Sequence, residues 1–164
     1  MLRHAREFAA QRIPFIFDPG QGLPMFDGSE LREMIEAATA LSVNDYEAKL
    51  LCERTGWSET DIAARVQALI VTRGAEGSTL YEGGQRQAIE PVVIADAVDP
   101  TGCGDAYRAG LLHGLSLGWG WLDSARLGSV LGATKIEHAG AQNHPVDREQ
   151  IAARFAQTYG RSPW

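Results

Sequence analysis

Asp99-Pro-Thr-Gly-Cys-Gly-Asp105 follows the apolar run Val92-Val-Ile-Ala-Asp-Ala-Val98 and precedes a helical pattern from about Ala106 to Leu117. The apolar run is expected to form a buried strand. Strand, glycine turn and helix start, in that order, build an anion site. The first amides of a helix have no carbonyl partners and point outward along the positive end of its dipole. Gly102 and Gly104 let the backbone come close to a ligand with no Cβ in the way. Asp105 falls in the first helical turn, beside those amides. A carboxylate next to an anion hole suits phosphoryl transfer, in which the amides stabilise charge on the moving group and the carboxylate accepts the proton of the attacking hydroxyl. The same residues also fit a plain turn, with Asp105 complementing the dipole and the glycines only shaping the chain.

The pattern Asp99-x-Thr-Gly-x-Gly-Asp105 resembles the C-terminal signature of the ribokinase-like (PfkB) family of sugar and nucleoside kinases. The resemblance implies that Asp105 is the catalytic base and that the amides of Gly102, Cys103 and Gly104 form the anion hole. Pro100 stands where the family more usually has Thr, and Cys103 where it more usually has Ala. Both leave the amides of the Gly-x-Gly-Asp turn in place.

Other segments match the family in order. Asn44-Asp-Tyr-Glu47 reads on its own as a capping box, an Asn cap with Glu three residues later. The resemblance adds that Asn44 and Glu47 help organise magnesium and the nucleotide phosphates, Glu47 largely through water, since Mg2+ keeps most of its waters and takes one or two carboxylates from protein. Thr72, Gly74 and Gly77 fit the family's Thr-x-Gly-x-x-Gly segment, which wraps the nucleotide phosphates; on its own this stretch is a hairpin turn. Ser129 lies where the family's helix borders the adenine. The loop His138-Ala-Gly-Ala-Gln-Asn-His144 matches one that, with Asp99 and Thr101, holds a monovalent cation such as K+ through backbone carbonyls. Lys135, His138 and His144 are unusual side chains for that place.

Composition bounds the alternatives. The 164 residues suffice for one domain with a real core, and 45% hydrophobic and 22% charged residues are ordinary for a globular chain. A net charge of −6 argues against nonspecific nucleic-acid or anionic-membrane binding. Two cysteines, Cys52 and Cys103, make no CxxC pair, so no zinc or disulfide framework is expected, which fits a reducing cytoplasm. Cys103 reads as a small buried residue rather than an activated thiol. The four histidines show no ligand spacing. Gly110, Gly114 and Gly118 recur every fourth residue, interrupted by polar side chains, as in a close-packed helix of a soluble protein rather than a membrane dimer. No GxGxxG follows a first strand, which sets aside a dehydrogenase fragment.

The remaining pattern predicts strands at Ile13–Phe17, Thr39–Val43, Ala68–Thr72, Ser78–Tyr81 and Arg86–Glu90. It predicts helices over 2–10, from Ser29 as cap to about Ala37, from Asn44 to about Arg54, from Ser58 to about Gln67, over 122–137, and from Asp147 to near Gly160. The last of these carries a box with Gln150 and a Val146–Ile151 staple. The resemblance implies an α/β fold, three-layer α/β/α with a mostly parallel sheet and an antiparallel hairpin edge. Residues 1–164 are expected to form a single partial domain, the nucleotide-binding and catalytic C-terminal part, with the N-terminal half and β lid absent. It further implies ATP and magnesium as cofactors, a sugar or nucleoside substrate (adenosine by wording), and a second copy or completing chain at an exposed sheet edge. The rival reading is a nucleotide-binding remnant or split-protein module without catalysis.

Overall fold

Short apolar runs separated by capped helices can pair in parallel only if each helix crosses over the sheet. The computed structural model describes residues 1–164 and shows this plan in the first half of the chain. The chain gathers into two compact units, Met1–Arg73 with Thr79–Ala88, and Gly74–Ser78 with Ile89–Trp164.

The first unit is built on the sheet. Strands β1 (Ile16–Phe17), β2 (Ala40–Asn44) and β3 (Ala68–Thr72) run parallel, with Ile16 opposite Ala40 and Asn44 opposite Thr72. Strands β4 (Ser78–Glu82) and β5 (Gln85–Ile89) extend the sheet in chain order. The five-residue link from β3 to β4 and the two-residue turn Gly83-Gly84 are too short for crossovers, so this edge is antiparallel. Helices α1 (Leu2–Ala10), α2 (Gly28–Ala37), α3 (Asp45–Thr55) and α4 (Glu59–Ala63) complete the unit. The first four residues of β2 and of β3 are all buried, as in sheets covered on both faces. Leu31, Met34 and Ile35 of α2 and Leu51 of α3 are fully buried and join Leu41, Val43, Leu69 and Val71 in one cluster. Each such side chain contributes about 1.5–3 kcal/mol by leaving water.

The second unit is helical. Helices α5 (Cys103–Ser116) and α6 (Trp121–Ile136) touch backbone to backbone. A Cβ on Gly110 would lie 2.8 Å from the Gly128 backbone, and one on Gly128 would lie 2.7 Å from the Tyr107 carbonyl. Only glycine permits that approach at these positions. Helix α7 (Arg148–Tyr159) places Ile151 and Phe155 on Leu127 and Val130 of α6, with Val92.

Several expectations are corrected. Residues 92–98 form no strand, and Val93 and Val98 are 87% and 54% exposed. A strand needs a ladder partner, and this segment's backbone is taken up otherwise. Val98 N and Asp99 N both donate to Ile136 O at the end of α6, at 2.8 and 3.1 Å. Ala95 N donates to the Glu137 carboxylate at 2.9 Å, and Arg154 donates to Val93 O at 2.8 Å. The first strand covers only Ile16–Phe17, because Pro14 removes a ladder donor. Asp27, not Ser29, caps α2: its carboxylate takes the Ser29 and Glu30 amides at 2.8 and 2.9 Å, while Glu30 returns to Asp27 N at 3.0 Å. The helix capped by Ser58 stops at Ala63, after which Gln67 N donates to Thr39 O at 2.9 Å and leads into β3. Asp147 caps α7 by accepting from Gln150 N at 2.8 Å, but Gln150 makes no return bond, and Val146 is 69% exposed.

Candidate active site

The turn Asp99–Asp105 is tied down from both ends. The Asp99 carboxylate accepts from Thr101 N at 2.9 Å and from Gly140 N at 2.7 Å. The amide and hydroxyl of Thr101 and the Gly140 amide, with the Lys135 charge adding, hold this carboxyl down at about 2. Gly102 then takes the left-handed conformation, φ +82°, as the N-cap of α5. A Cβ there would also lie 2.7 Å from Ala141 O, so glycine is required twice over.

No side chain caps α5. Cys103 N donates to Pro100 O at 3.1 Å, so this amide, expected in the anion hole, is already engaged. The amides of Gly102, Gly104 and Asp105 have no acceptor within the protein. The open donors of the turn are therefore the amides around Cys103 rather than its own. Burial pushes the Cys103 thiol up rather than down, and its Sγ lies 3.8 Å from Asp99 O. It is the small, part-buried residue expected from the sequence.

Asp105 projects from the first turn of α5 with its side chain 79% exposed, and Arg108 donates to its Oδ1 at 2.6 Å. The carboxylate sits at the rim of a cavity of about 730 Å³ lined chiefly by apolar side chains, among them Ala109, Leu127 and Leu131, with His113 and His144. A carboxylate that is reachable, paired with a guanidinium and adjacent to unpaired helix amides can accept a proton and tolerate an anion alongside. Arg108 was not singled out from the sequence, although its i,i+3 spacing from Asp105 is a usable signal.

Gly74 and Gly77 belong to this same unit. Ser78, which follows Gly77, shares a hydrogen bond of 3.1 Å with the Tyr107 hydroxyl of α5. Burial pushes the Tyr107 phenol up to about 12, while the hydroxyls of Ser78 and Ser129 pull the other way. Ser129 donates to Ala125 O at 3.2 Å within α6. The Gly77–Ser78 corner, Tyr107 and Ser129 therefore meet in one cluster.

In the first unit, the parallel strands place Asn44 and Thr72 side by side, in register at the carboxyl ends of β2 and β3. This is the edge at which α/β sheets bind ligands. Asn44 Oδ1 accepts from Glu47 N at 2.8 Å, and Asn44 N donates to Glu47 Oε2 at 2.9 Å. The capping box thus forms, and it engages one of the two Glu47 carboxylate oxygens. Thr72 Oγ1 donates to Val43 O at 3.4 Å. Asp18, just past β1, lies at the same sheet edge and was read from the sequence only as loop. No group of three or more His, Cys, Asp or Glu side chains is disposed to hold a metal ion directly, so one bound through Glu47 would rely on water and phosphate oxygens. No helix is long and apolar enough to cross a membrane.

Residues 1–148 match the pfkB family of carbohydrate kinases. A curated relative, the nucleoside kinase of Methanocaldococcus jannaschii, is 32% identical over 139 residues, which is 85% of this chain and 46% of that protein. The ribokinase of Lactococcus lactis is 31% identical over 123 residues, 75% of this chain and 40% of its own length. Among solved structures, the nucleoside kinase of Burkholderia thailandensis in complex with inosine superposes with a TM-score of 0.95 at 52% identity, covering 99% of this chain and 54% of that one. The chain thus spans about half the length of the relatives it matches.

Proposed function

Because this chain belongs to the pfkB family of carbohydrate kinases, we propose that it carries the nucleotide and catalytic part of an ATP-dependent kinase acting on a hydroxyl of a nucleoside or sugar. The fold is ribokinase-like, as the solved relatives establish. The observation that carries the reading is the exposed Asp105 carboxylate next to the unpaired amides of Gly102 and Gly104. Asp105 accepts the proton of the attacking hydroxyl. The amides hold the charge that accumulates on the equatorial oxygens in the transition state. Asn44 and Glu47 order hydrated magnesium, and Thr72, Gly74 and Gly77 hold nucleotide phosphates. Ser129, close to Tyr107, borders the base. When bound, Mg·ATP supplies the phosphoryl group and neutralises its charge. A nucleoside is favoured as acceptor because the Burkholderia thailandensis relative was solved with inosine, and adenosine is one member of that class. A monovalent cation at Asp99 and Thr101 is left out, because Lys135 already bonds the Asp99 carbonyl.

One observation favours a second reading. The chain spans half the length of its relatives, so nucleotide binding without turnover, with a completing chain or second copy at the β1 edge, is the alternative. Calorimetric titration with Mg·ATP, a phosphorylation assay with inosine, adenosine and ribose, and a size measurement separate the two. Phosphorylated product, even at a slow rate, that is lost in Asp105→Asn supports the kinase. Binding with no product supports the module, and no binding at all contradicts both.

A further inference from the structure

We propose that the Lys135 ammonium is a built-in substitute for a monovalent metal ion, holding together the two loops that frame the Gly102 turn so that no K+ binds between them. Lys135 is the one charged side chain that is fully buried, at 0% exposure. Its Nζ donates to Asp99 O at 2.8 Å and to His138 O at 2.9 Å. These carbonyls belong to the two loops whose backbone the family resemblance offers to a cation. An ammonium and K+ ask the same of a protein: several carbonyl oxygens and little else. The difference is that the ammonium arrives on a tether from α6 and cannot dissociate.

A second cation on the same oxygens would sit within a few ångströms of a buried positive charge, where repulsion is poorly screened. The residues therefore do not fit a monovalent ion in addition to Lys135. The Asp99 carboxylate reinforces the clamp by taking the Thr101 and Gly140 amides, one on each loop. Gly102 follows directly and packs on Ala141 of the second loop. Lys135 is thus a positioning residue: it sets the backbone from which the unpaired amides project. For the kinase reading, turnover would need no K+. The assignment itself does not depend on that reading, and its test reads stability.

The experiment compares thermal unfolding of the purified chain in chlorides of K+, NH4+, Na+ and tetramethylammonium at matched ionic strength. Wild type is expected to give one Tm in all four. Lys135→Met keeps the apolar stem and removes only the ammonium, so Asp99 O keeps only the distant Cys103 thiol and His138 O loses its donor. It is expected to lose roughly 5–10 °C. K+ or NH4+, but not tetramethylammonium, should return roughly half of that loss along a saturating curve. A saturable K+-selective rise in the wild-type Tm overturns the proposal. So does a Lys135→Met protein that no small cation restores, since a purely structural lysine would behave that way. Should Lys135→Met not fold, thallium titration of wild type decides: no saturable binding supports the substitution, and stoichiometric binding refutes it.

Discussion

Asp105 and Asp99 are six positions apart in the sequence, yet they do different work. Asp105 is open to solvent and answers only to Arg108, whereas Asp99 is fastened to the amides of Thr101 and Gly140. On the proposed kinase reading, Asp105→Asn is expected to leave nucleotide affinity unchanged and cut turnover by roughly two to four orders of magnitude. Steady-state kinetics beside calorimetric titration check this. Asp99 predicts a pH dependence instead. Its carboxyl is held at about 2 in the folded chain, against about 3.9 when unfolded. The stability it contributes is complete above pH ~4 and is lost as pH falls toward ~2. Thermal unfolding across that window should therefore fall more steeply for wild type than for Asp99→Asn. The role suggested for Asp105 was legible in its own residue type and spacing. The clamp on Asp99 was not, because its partners come from Gly140 and Lys135, far along the chain, and no local pattern announces them.

At the scale of elements, the strongly patterned segments were readable and the ambiguous ones were not. The buried runs of β2 and β3 and the capping box of α3 emerged as expected, since apolar periodicity and capping chemistry are local. Residues 92–98 looked equally strand-like, but strand formation depends on a partner, and here α6 and α7 claim the backbone groups. The α5–α6 contact was visible as small residues, but not which of them matter. A prediction follows from the spacing. Gly128→Ala would force a Cβ to 2.7 Å from Tyr107 O and should destabilise by about 1–3 kcal/mol. Gly132→Ala would meet nothing closer than 3.6 Å, and helix propensity favours alanine by about 1 kcal/mol, so it should be neutral or stabilising. Urea unfolding of the two variants side by side reads the difference.

For the molecule as a whole, the governing fact is that the chain spans about half the length of the relatives it matches. Catalysis of phosphoryl transfer is mostly positioning, and the relatives this chain matches have about as much chain again. The isolated 164 residues are accordingly expected to turn over nucleosides far below the ~1–100 per second of ordinary kinases. A coupled assay at saturating Mg·ATP measures this.

The central claim, that backbone amides at the start of α5 receive nucleotide phosphate, can be tested without any turnover. Nitrogen-labelled chain is titrated with Mg·ATP and its amide resonances are followed. Gly102 and Gly104 are expected to shift in one saturable process. Saturable nucleotide binding that leaves Gly102 and Gly104 unmoved would contradict it.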